Sequence, residues 1–177
     1  MSRSPYSTRQ IFLVLFVFFS AFYSYGQHHA VGGAGQSDIA FEIFELPGGS
    51  TGNAVTAIIQ DSLGYMWFGS QAGLHRYDGK NFITYNSDPI NQNTLNSDYI
   101  EDIYLDKSGI LWLTHWSGGG LTAYNPEQNT FTRYTHDVND PESILIGETS
   151  SIIADSEGDI WVGGRFGVSR LNKETGK

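Results

Sequence analysis

One motif occurs three times in the chain and constrains its fold more than any other feature. An aspartate is followed three residues later by a glycine and, after three more residues, by a tryptophan. The copies are Asp61, Gly64 and Trp67, then Asp106, Gly109 and Trp112, then Asp155, Gly158 and Trp161. Successive copies are 45 and 49 residues apart. A period of this size indicates a repeat architecture, in which each unit is one supersecondary element.

Each repeat unit predicts four short strands. In the first unit, β-branched and aromatic residues fill 55–60 and 65–69, on either side of the Asp-Ser-Leu-Gly turn. The aspartate of such a turn accepts backbone hydrogen bonds, and the glycine adopts a positive φ. A third strand is predicted over 74–78 and a fourth over 82–85. No stretch has helical apolar spacing free of glycine, so the sequence predicts an all-β fold of four-stranded antiparallel β-propeller blades.

The repeats divide the chain into three units. We expect blade 1 over 48–88, blade 2 over 89–137 and an incomplete blade 3 over 138–177. Before them, residues 39–47 include the sequence Phe-Glu-Ile-Phe, which has the form of a fourth strand and resembles the strand that closes a propeller. A closed propeller needs at least four blades. We therefore expect an incomplete propeller that is the beginning of a longer one.

The N-terminal residues read as an export signal. Residues 1–26 contain two early arginines, the apolar run Ile11–Phe19 and small residues before Gln27. This run is too short to cross a bilayer, so we expect a cleaved signal peptide and an exported, periplasmic product with no membrane span in the mature chain. Residues 27–38 are predicted to form a flexible lead-in segment. The adjacent His28 and His29 lie in it without a third ligand nearby, which favours solvated residues over a metal site.

Composition excludes several classes of function. The chain has no cysteine, so disulfides, cysteine-bound zinc and a thiol nucleophile are excluded. Its net charge of −9 argues against direct binding of nucleic acid. We find no repeated catalytic constellation and no phosphate-binding loop. The sequence therefore predicts no catalytic residue, no cofactor and no metal; His75 and His136 read as strand-surface and loop residues.

The repeated and unrepeated aromatic residues have different interpretations. A tryptophan at a fixed strand position favours packing between blades, so Trp67, Trp112 and Trp161 are expected in the core. The loop between the second and third strands varies: it carries His115 and Trp116 in unit two, and Arg165 and Phe166 in unit three. Since a ring on a loop can stack against a sugar, these four residues are the candidate ligand-binding residues. Packing of the rings on a neighbouring loop is the alternative.

The combined pattern resembles the two-component regulator propeller repeat. The residues that carry the resemblance are Asp-x-x-Gly-x-x-Trp, then Gly-Leu-x-Arg-Tyr-Asp, then Phe-x-x-Tyr, and the Asp-Pro steps at Asp88 and Asp140. This resemblance covers 41–177. It implies that the chain is the N-terminal part of the periplasmic sensor of a hybrid two-component histidine kinase, and that the sensor binds glycan-derived ligands. In that family the kinase, phosphorelay and DNA-binding activities reside in other modules, which implies that this chain is not itself an enzyme.

Two other functions stay open at the level of sequence. One is a propeller-type carbohydrate-active enzyme, a glycosidase or lyase, which would need paired acids converging on the central face. The other is a scaffold for protein–protein interaction through the blade loops. The expected partners are an oligosaccharide, and further propeller blades or another copy of the chain.

Overall fold

The computed structural model of the chain describes residues 39–47, 54–116, 119–173 and 175. The predicted signal peptide (1–26) and lead-in (27–38) lie outside these residues, as do His28 and His29. Within the described ranges, no helix is long and apolar enough to cross a membrane.

The described residues form three antiparallel sheets and no helix. The first sheet contains β1 (Val55–Gln60), β2 (Met66–Ser70), β3 (Gly73–Tyr77) and β4 (Phe82–Tyr85), and the second contains β5 (Ile100–Leu105), β6 (Leu111–His115), β7 (Leu121–Asn125) and β8 (Thr130–Tyr134). The third contains β9 (Thr149–Ala154), β10 (Ile160–Gly164) and β11 (Gly167–Leu171). In each sheet the strands are neighbours in chain order. The predicted all-β class and the incomplete propeller of four-stranded blades are confirmed.

The first strand of each sheet lies innermost. Strand β1 packs against β5, and β5 in turn packs against β9. Two side chains tie these strands together: the Thr56 hydroxyl donates to the Ile100 carbonyl at 2.7 Å, and Asp102 Oδ2 accepts from the Ile152 amide at 3.2 Å. The sheets are therefore arranged side by side around a common centre, like the blades of a propeller.

The Asp-x-x-Gly-x-x-Trp motif forms a turn with the same side-chain hydrogen bonds in all three sheets. In the first, Asp61 Oδ1 accepts from the amides of Leu63 (2.9 Å) and Tyr65 (3.0 Å), while Oδ2 accepts from Trp67 Nε1 at 2.8 Å. The glycine has a φ of +89°, which L-residues rarely adopt. The aspartate thus fixes the turn and the orientation of the indole together, which explains why the three residues recur as a set.

The tryptophans of the first two sheets fill the space between neighbouring sheets. Trp67 is fully buried in a cluster with residues of the second sheet, and Trp112 is 4 % exposed in a cluster with residues of the third. Trp161 differs from the expectation of a core residue, since 36 % of it is exposed. No described sheet follows the third one to cover this ring.

The expectation for His75 needs revision. His75 is not a surface residue: it is fully buried, with Nε2 3.0 Å from Ser70 Oγ and Nδ1 2.9 Å from Thr84 Oγ1. Residues 39–46 of the predicted closing segment (39–47) have no strand geometry here. Closure of a complete propeller by that segment stays a prediction.

Candidate functional site

The loops between second and third strands lie at one end of the sheets. In an antiparallel sheet of consecutive strands, these loops and the connectors into the next sheet emerge together, while the Asp-Gly turns lie at the opposite end. We call the first end the loop face. Its exposed or half-exposed residues are Gln71, Tyr99, Trp116, Glu148, Arg165 and Phe166. Three of the four predicted ligand-binding residues therefore share one surface.

The three sheets present different side chains at one equivalent position of the loop face. Gln71, Trp116 and Arg165 each follow directly after the second strand of their sheet. The backbone geometry repeats: the Trp116 amide donates to the Tyr99 carbonyl at 3.1 Å, and the Arg165 amide donates to the Glu148 carbonyl at 3.0 Å. The loops of the second and third sheets are thus held by the residue that precedes the first strand of the same sheet, and the side chain differs between them.

Tyr99 and Trp116 form a half-exposed aromatic pair. Their ring centroids are 6.3 Å apart at an interplanar angle of 38°, and Trp116 is 49 % exposed. Gln71 Nε2 donates to the Tyr99 hydroxyl at 2.9 Å, which fixes the phenol from the first sheet. The arrangement offers ring faces beside amide and hydroxyl groups, a combination that suits a ligand with both apolar faces and hydroxyls.

The third sheet places charge at the same position. Arg165 Nη1 lies 3.6 Å from Glu148 Oε1, and its guanidinium stands 5.5 Å from the centroid of the Phe166 ring. Phe166 is 62 % exposed and rests over Gly147, where an added Cβ would meet the ring at 2.8 Å. This part of the loop face therefore combines an ion pair with an exposed ring.

His115 is a correction to the predicted set of ligand-binding residues. Its side chain is fully buried beneath the loop face, with Nε2 2.8 Å from Thr122 Oγ1, and its amide donates to Thr149 Oγ1 at 2.9 Å. Burial lowers the pKa of His115 to about 4. The imidazole is therefore neutral at pH 7 and supports the base of the Trp116 loop.

The repeated aspartates at the turn end are all engaged in hydrogen bonds with the tryptophan of their own motif. Asp106 Oδ2 accepts from Trp112 Nε1 at 2.9 Å and from Lys173 Nζ at 2.6 Å. Burial alone would raise the pKa of Asp106, but these hydrogen bonds outweigh it and the pKa is lowered. In the third sheet, the hydrogen bond from Trp161 lowers the pKa of Asp155. Among the described residues, no group of three or more His, Asp or Glu could hold a metal ion.

Sequence reasoning missed Gln71, Tyr99 and Glu148 as members of the loop face. The signal that could have identified them is their position in the repeat, directly after a second strand or directly before a first strand. Neither position carries a repeated residue type, so a search for repeated motifs passes over both.

The comparisons with known proteins agree with this architecture. The two-component regulator propeller model matches residues 49–72, which include the first Asp-x-x-Gly-x-x-Trp motif. The structure is similar to the extracellular domain of a protein assigned as a hybrid two-component system in B. thetaiotaomicron, with 28 % identity and a TM-score of 0.66. That match covers 72 % of this chain but only 18 % of the other. A comparison with curated protein sequences finds no match.

A second group of similar structures shares the fold alone. The virginiamycin B lyase of Staphylococcus aureus, in an inactive variant with quinupristin, is 16 % identical with a TM-score of 0.57, covering 76 % of this chain and 42 % of the lyase. A selenomethionine form of the lyase gives 17 % identity and a TM-score of 0.53, covering 72 % of this chain and 40 % of the lyase. The match to the two-component regulator propeller model confirms the resemblance predicted from the repeats, and the structure is similar to the extracellular domain of one hybrid two-component system.

Proposed function

We propose that the chain is the N-terminal part of a periplasmic, ligand-sensing β-propeller of a hybrid two-component system. Its ligand is a glycan fragment, which binds on the loop face, and the chain has no catalytic activity of its own. Signal output belongs to the rest of a longer sensor. The small share of the sensor relative that this chain spans, 18 %, agrees with a partial propeller.

The observation that carries this proposal is the Tyr99–Trp116 pair. Two neighbouring rings are held half-exposed by backbone and amide contacts, beside hydrogen-bonding groups from the first sheet. Ring faces of this kind stack on the C–H face of a pyranose, while the Gln71 amide and the Tyr99 hydroxyl can bond sugar hydroxyls. The unrepeated nature of Trp116 supports recognition, since packing between blades uses the tryptophans of the repeat.

The arrangement of acids supports a binding role over catalysis. The aspartates of the three repeated turns lie at the end opposite the loop face, and each is occupied by the indole of its own motif. Glu148, on the loop face, is paired with Arg165. A glycosidase needs two carboxylates about 5–10 Å apart across one bond, and the lyases share only the fold with this chain.

The proposal is tested by titrating the full chain with a panel of oligosaccharides in isothermal calorimetry. We expect one glycan class to bind, and the Trp116→Ala variant to bind about tenfold more weakly, since a stacked ring contributes roughly 1 kcal/mol beyond its area. Trp161→Phe is the matched control: it alters an exposed indole far from the loop face and should leave affinity unchanged.

Two results would contradict the proposal. One is glycan binding that survives Trp116→Ala unchanged, which would place the site elsewhere. The other is release of a cleaved sugar product during the titration, detected by mass spectrometry, which would establish an enzyme.

A further inference from the structure

The loop between the second and third strands is longer in the second sheet than in the other two. It comprises the five residues 116–120 there, which we call the Trp116 loop, but only 71–72 in the first sheet and 165–166 in the third. Its sequence is Trp-Ser-Gly-Gly-Gly, and glycines leave a backbone more conformations than other residues do. Contacts from outside the loop are therefore needed to hold the indole in one place.

In the first sheet, a hydroxyl of the same sheet closes the equivalent loop. Ser70 Oγ, at the end of β2, accepts from the Ala72 amide at 3.0 Å and donates to the Gly73 carbonyl at 3.1 Å. Both bonds lie within one hairpin, so they are independent of the neighbouring sheet. The second sheet has His115 in place of Ser70, and its imidazole is bonded to Thr122.

A hydroxyl of the third sheet closes the Trp116 loop instead. Thr149, the first residue of β9, is 4 % exposed. Its Oγ1 accepts from the His115 amide at 2.9 Å, at one end of the loop, and donates to the Gly120 carbonyl at 2.6 Å, at the other end. The His115 carbonyl lies 3.2 Å from the same oxygen. One side-chain oxygen thus joins the two ends of the loop.

The hydroxyl of Thr149 has no counterpart in the other sheets. The first residues of β1 and β5 are Val55 and Ile100, which are aliphatic. Ile100 is fully buried and packs on Gly69 of the first sheet, where an added Cβ would lie 2.8 Å from Ile100 Cγ2. Because an aliphatic side chain fills this position in the repeat, packing between sheets does not explain the hydroxyl of Thr149.

The two residues before Thr149 contact the loops of both the second and the third sheet. Gly147 lies against the Trp116 loop, since a Cβ added at Gly119 would clash with the Gly147 carbonyl. The Glu148 carbonyl accepts from the Arg165 amide at 3.0 Å. The segment 147–149 therefore supports the two loops that carry the exposed candidate residues, and Thr149 is the part of it that bonds the Trp116 loop through a side chain.

We propose that Thr149 is a positioning residue of the loop face: its hydroxyl fixes the Trp116 loop from the third sheet and so sets the affinity for a glycan stacked on the indole. The effect on affinity rests on the proposed function, whereas the placement of the indole does not depend on it. A ring that must be ordered on binding costs affinity, and a ring already held in place avoids this cost. Thr149 therefore acts on the ligand through Trp116 alone.

The first measurement follows the indole without any ligand. The full chain is labelled with 5-fluorotryptophan, and the Trp116 signal in the fluorine NMR spectrum is assigned with Trp116→Phe. Thr149→Val keeps the shape of the side chain and removes the hydroxyl. We expect it to shift the Trp116 signal while the signals of Trp67 and Trp161 stay in place. Thr149→Ser keeps the hydroxyl and should restore the original Trp116 signal.

A matched control removes a hydroxyl elsewhere. Thr84 Oγ1 lies 2.9 Å from His75 Nδ1 in the first sheet, so Thr84→Val also leaves a histidine with one bond fewer. We expect this variant to leave the Trp116 signal unchanged. If Thr149→Val does not fold, Thr149→Ala replaces it with the same expectations.

The second measurement is affinity in isothermal calorimetry, with the oligosaccharide of the panel that binds. Thr149→Val should weaken binding about fivefold, and Thr149→Ser by no more than about twofold. In a Trp116→Ala background, Thr149→Val should have no further effect, since the ring through which it acts is gone. A loss that came from general destabilisation would instead add to the loss caused by Trp116→Ala.

Two results would overturn the inference: a Trp116 signal that does not shift in Thr149→Val, or losses of affinity from Thr149→Val and Trp116→Ala that are additive. A shifted Trp116 signal in a chain that binds no oligosaccharide would contradict the proposed function and would support the positioning of Trp116 by Thr149.

Discussion

Replacing Trp112 and Trp161 by alanine, one at a time, tests whether the repeated tryptophans act through the neighbouring sheet. Both indoles lie in the same motif and donate to the same aspartate position. They differ in cover: Trp112 is 4 % exposed and Trp161 is 36 % exposed. Full burial of an indole of roughly 200 Å² contributes about 5 kcal/mol, and burial of the fraction covered in Trp161 about 3 kcal/mol.

We therefore expect Trp112→Ala to lower the free energy of unfolding by about 3–5 kcal/mol and Trp161→Ala by about 2 kcal/mol less. The cavity left at Trp112 is enclosed between two sheets, whereas solvent fills the space left at Trp161. Urea denaturation followed by far-UV circular dichroism measures both values without relying on tryptophan emission. Equal losses in the two variants would show that the indoles stabilise their own turns, and that neighbouring sheets contribute little.

Four further outcomes are expected. The free energy of unfolding should fall by up to about 3 kcal/mol as the pH is lowered from about 6.5 to about 4, because His115 becomes protonated in the unfolded state while it stays neutral in the folded state. His75 adds to the same trend, since burial also lowers its pKa. Urea denaturation at a series of pH values measures this, and a stability that does not change with pH would refute it. The double variant His115→Ser, Thr122→His reproduces the Ser70–His75 pair of the first sheet. In a double-mutant cycle, its loss of stability should therefore be smaller than the sum of the losses of the two single variants. N-terminal sequencing after cell fractionation should find an exported product beginning at Gln27; a cytoplasmic form with Met1 would contradict this. The chain alone should associate through its open sheet edges, so a sharp monomer peak in light scattering would count against the partial propeller.

Repetition made the fold predictable from the sequence. Three copies of one Asp-Gly-Trp set gave the number of sheets, and the turn and strand residues between them gave the four-stranded pattern. The hydrogen bond between Asp61 and Trp67 was not expected, because the two residues are six positions apart in the sequence with the turn between them. Only the folded hairpin brings the carboxylate to the indole nitrogen.

Burial of the histidines could not be predicted from their own positions. His75 stands on β3 and His115 at the end of β6, yet each bonds a hydroxyl across the same pair of strands. The first sheet places serine on the second strand and histidine on the third, and the second sheet exchanges the two roles. An exchange of this kind hides the equivalence from any alignment by residue type, since Ser70 aligns with His115.

The two ends of the sheets follow opposite rules, and this contrast supports a division between stability and recognition. At the turn end, the aspartate and tryptophan are the same in every sheet and make the same bonds, as packing against a repeated neighbour requires. At the loop face, the backbone bond is the same in the second and third sheets, while the side chain changes from tryptophan to arginine. Where a scaffold keeps the backbone and varies the side chain, the varied groups are free to fit a ligand without cost to the core.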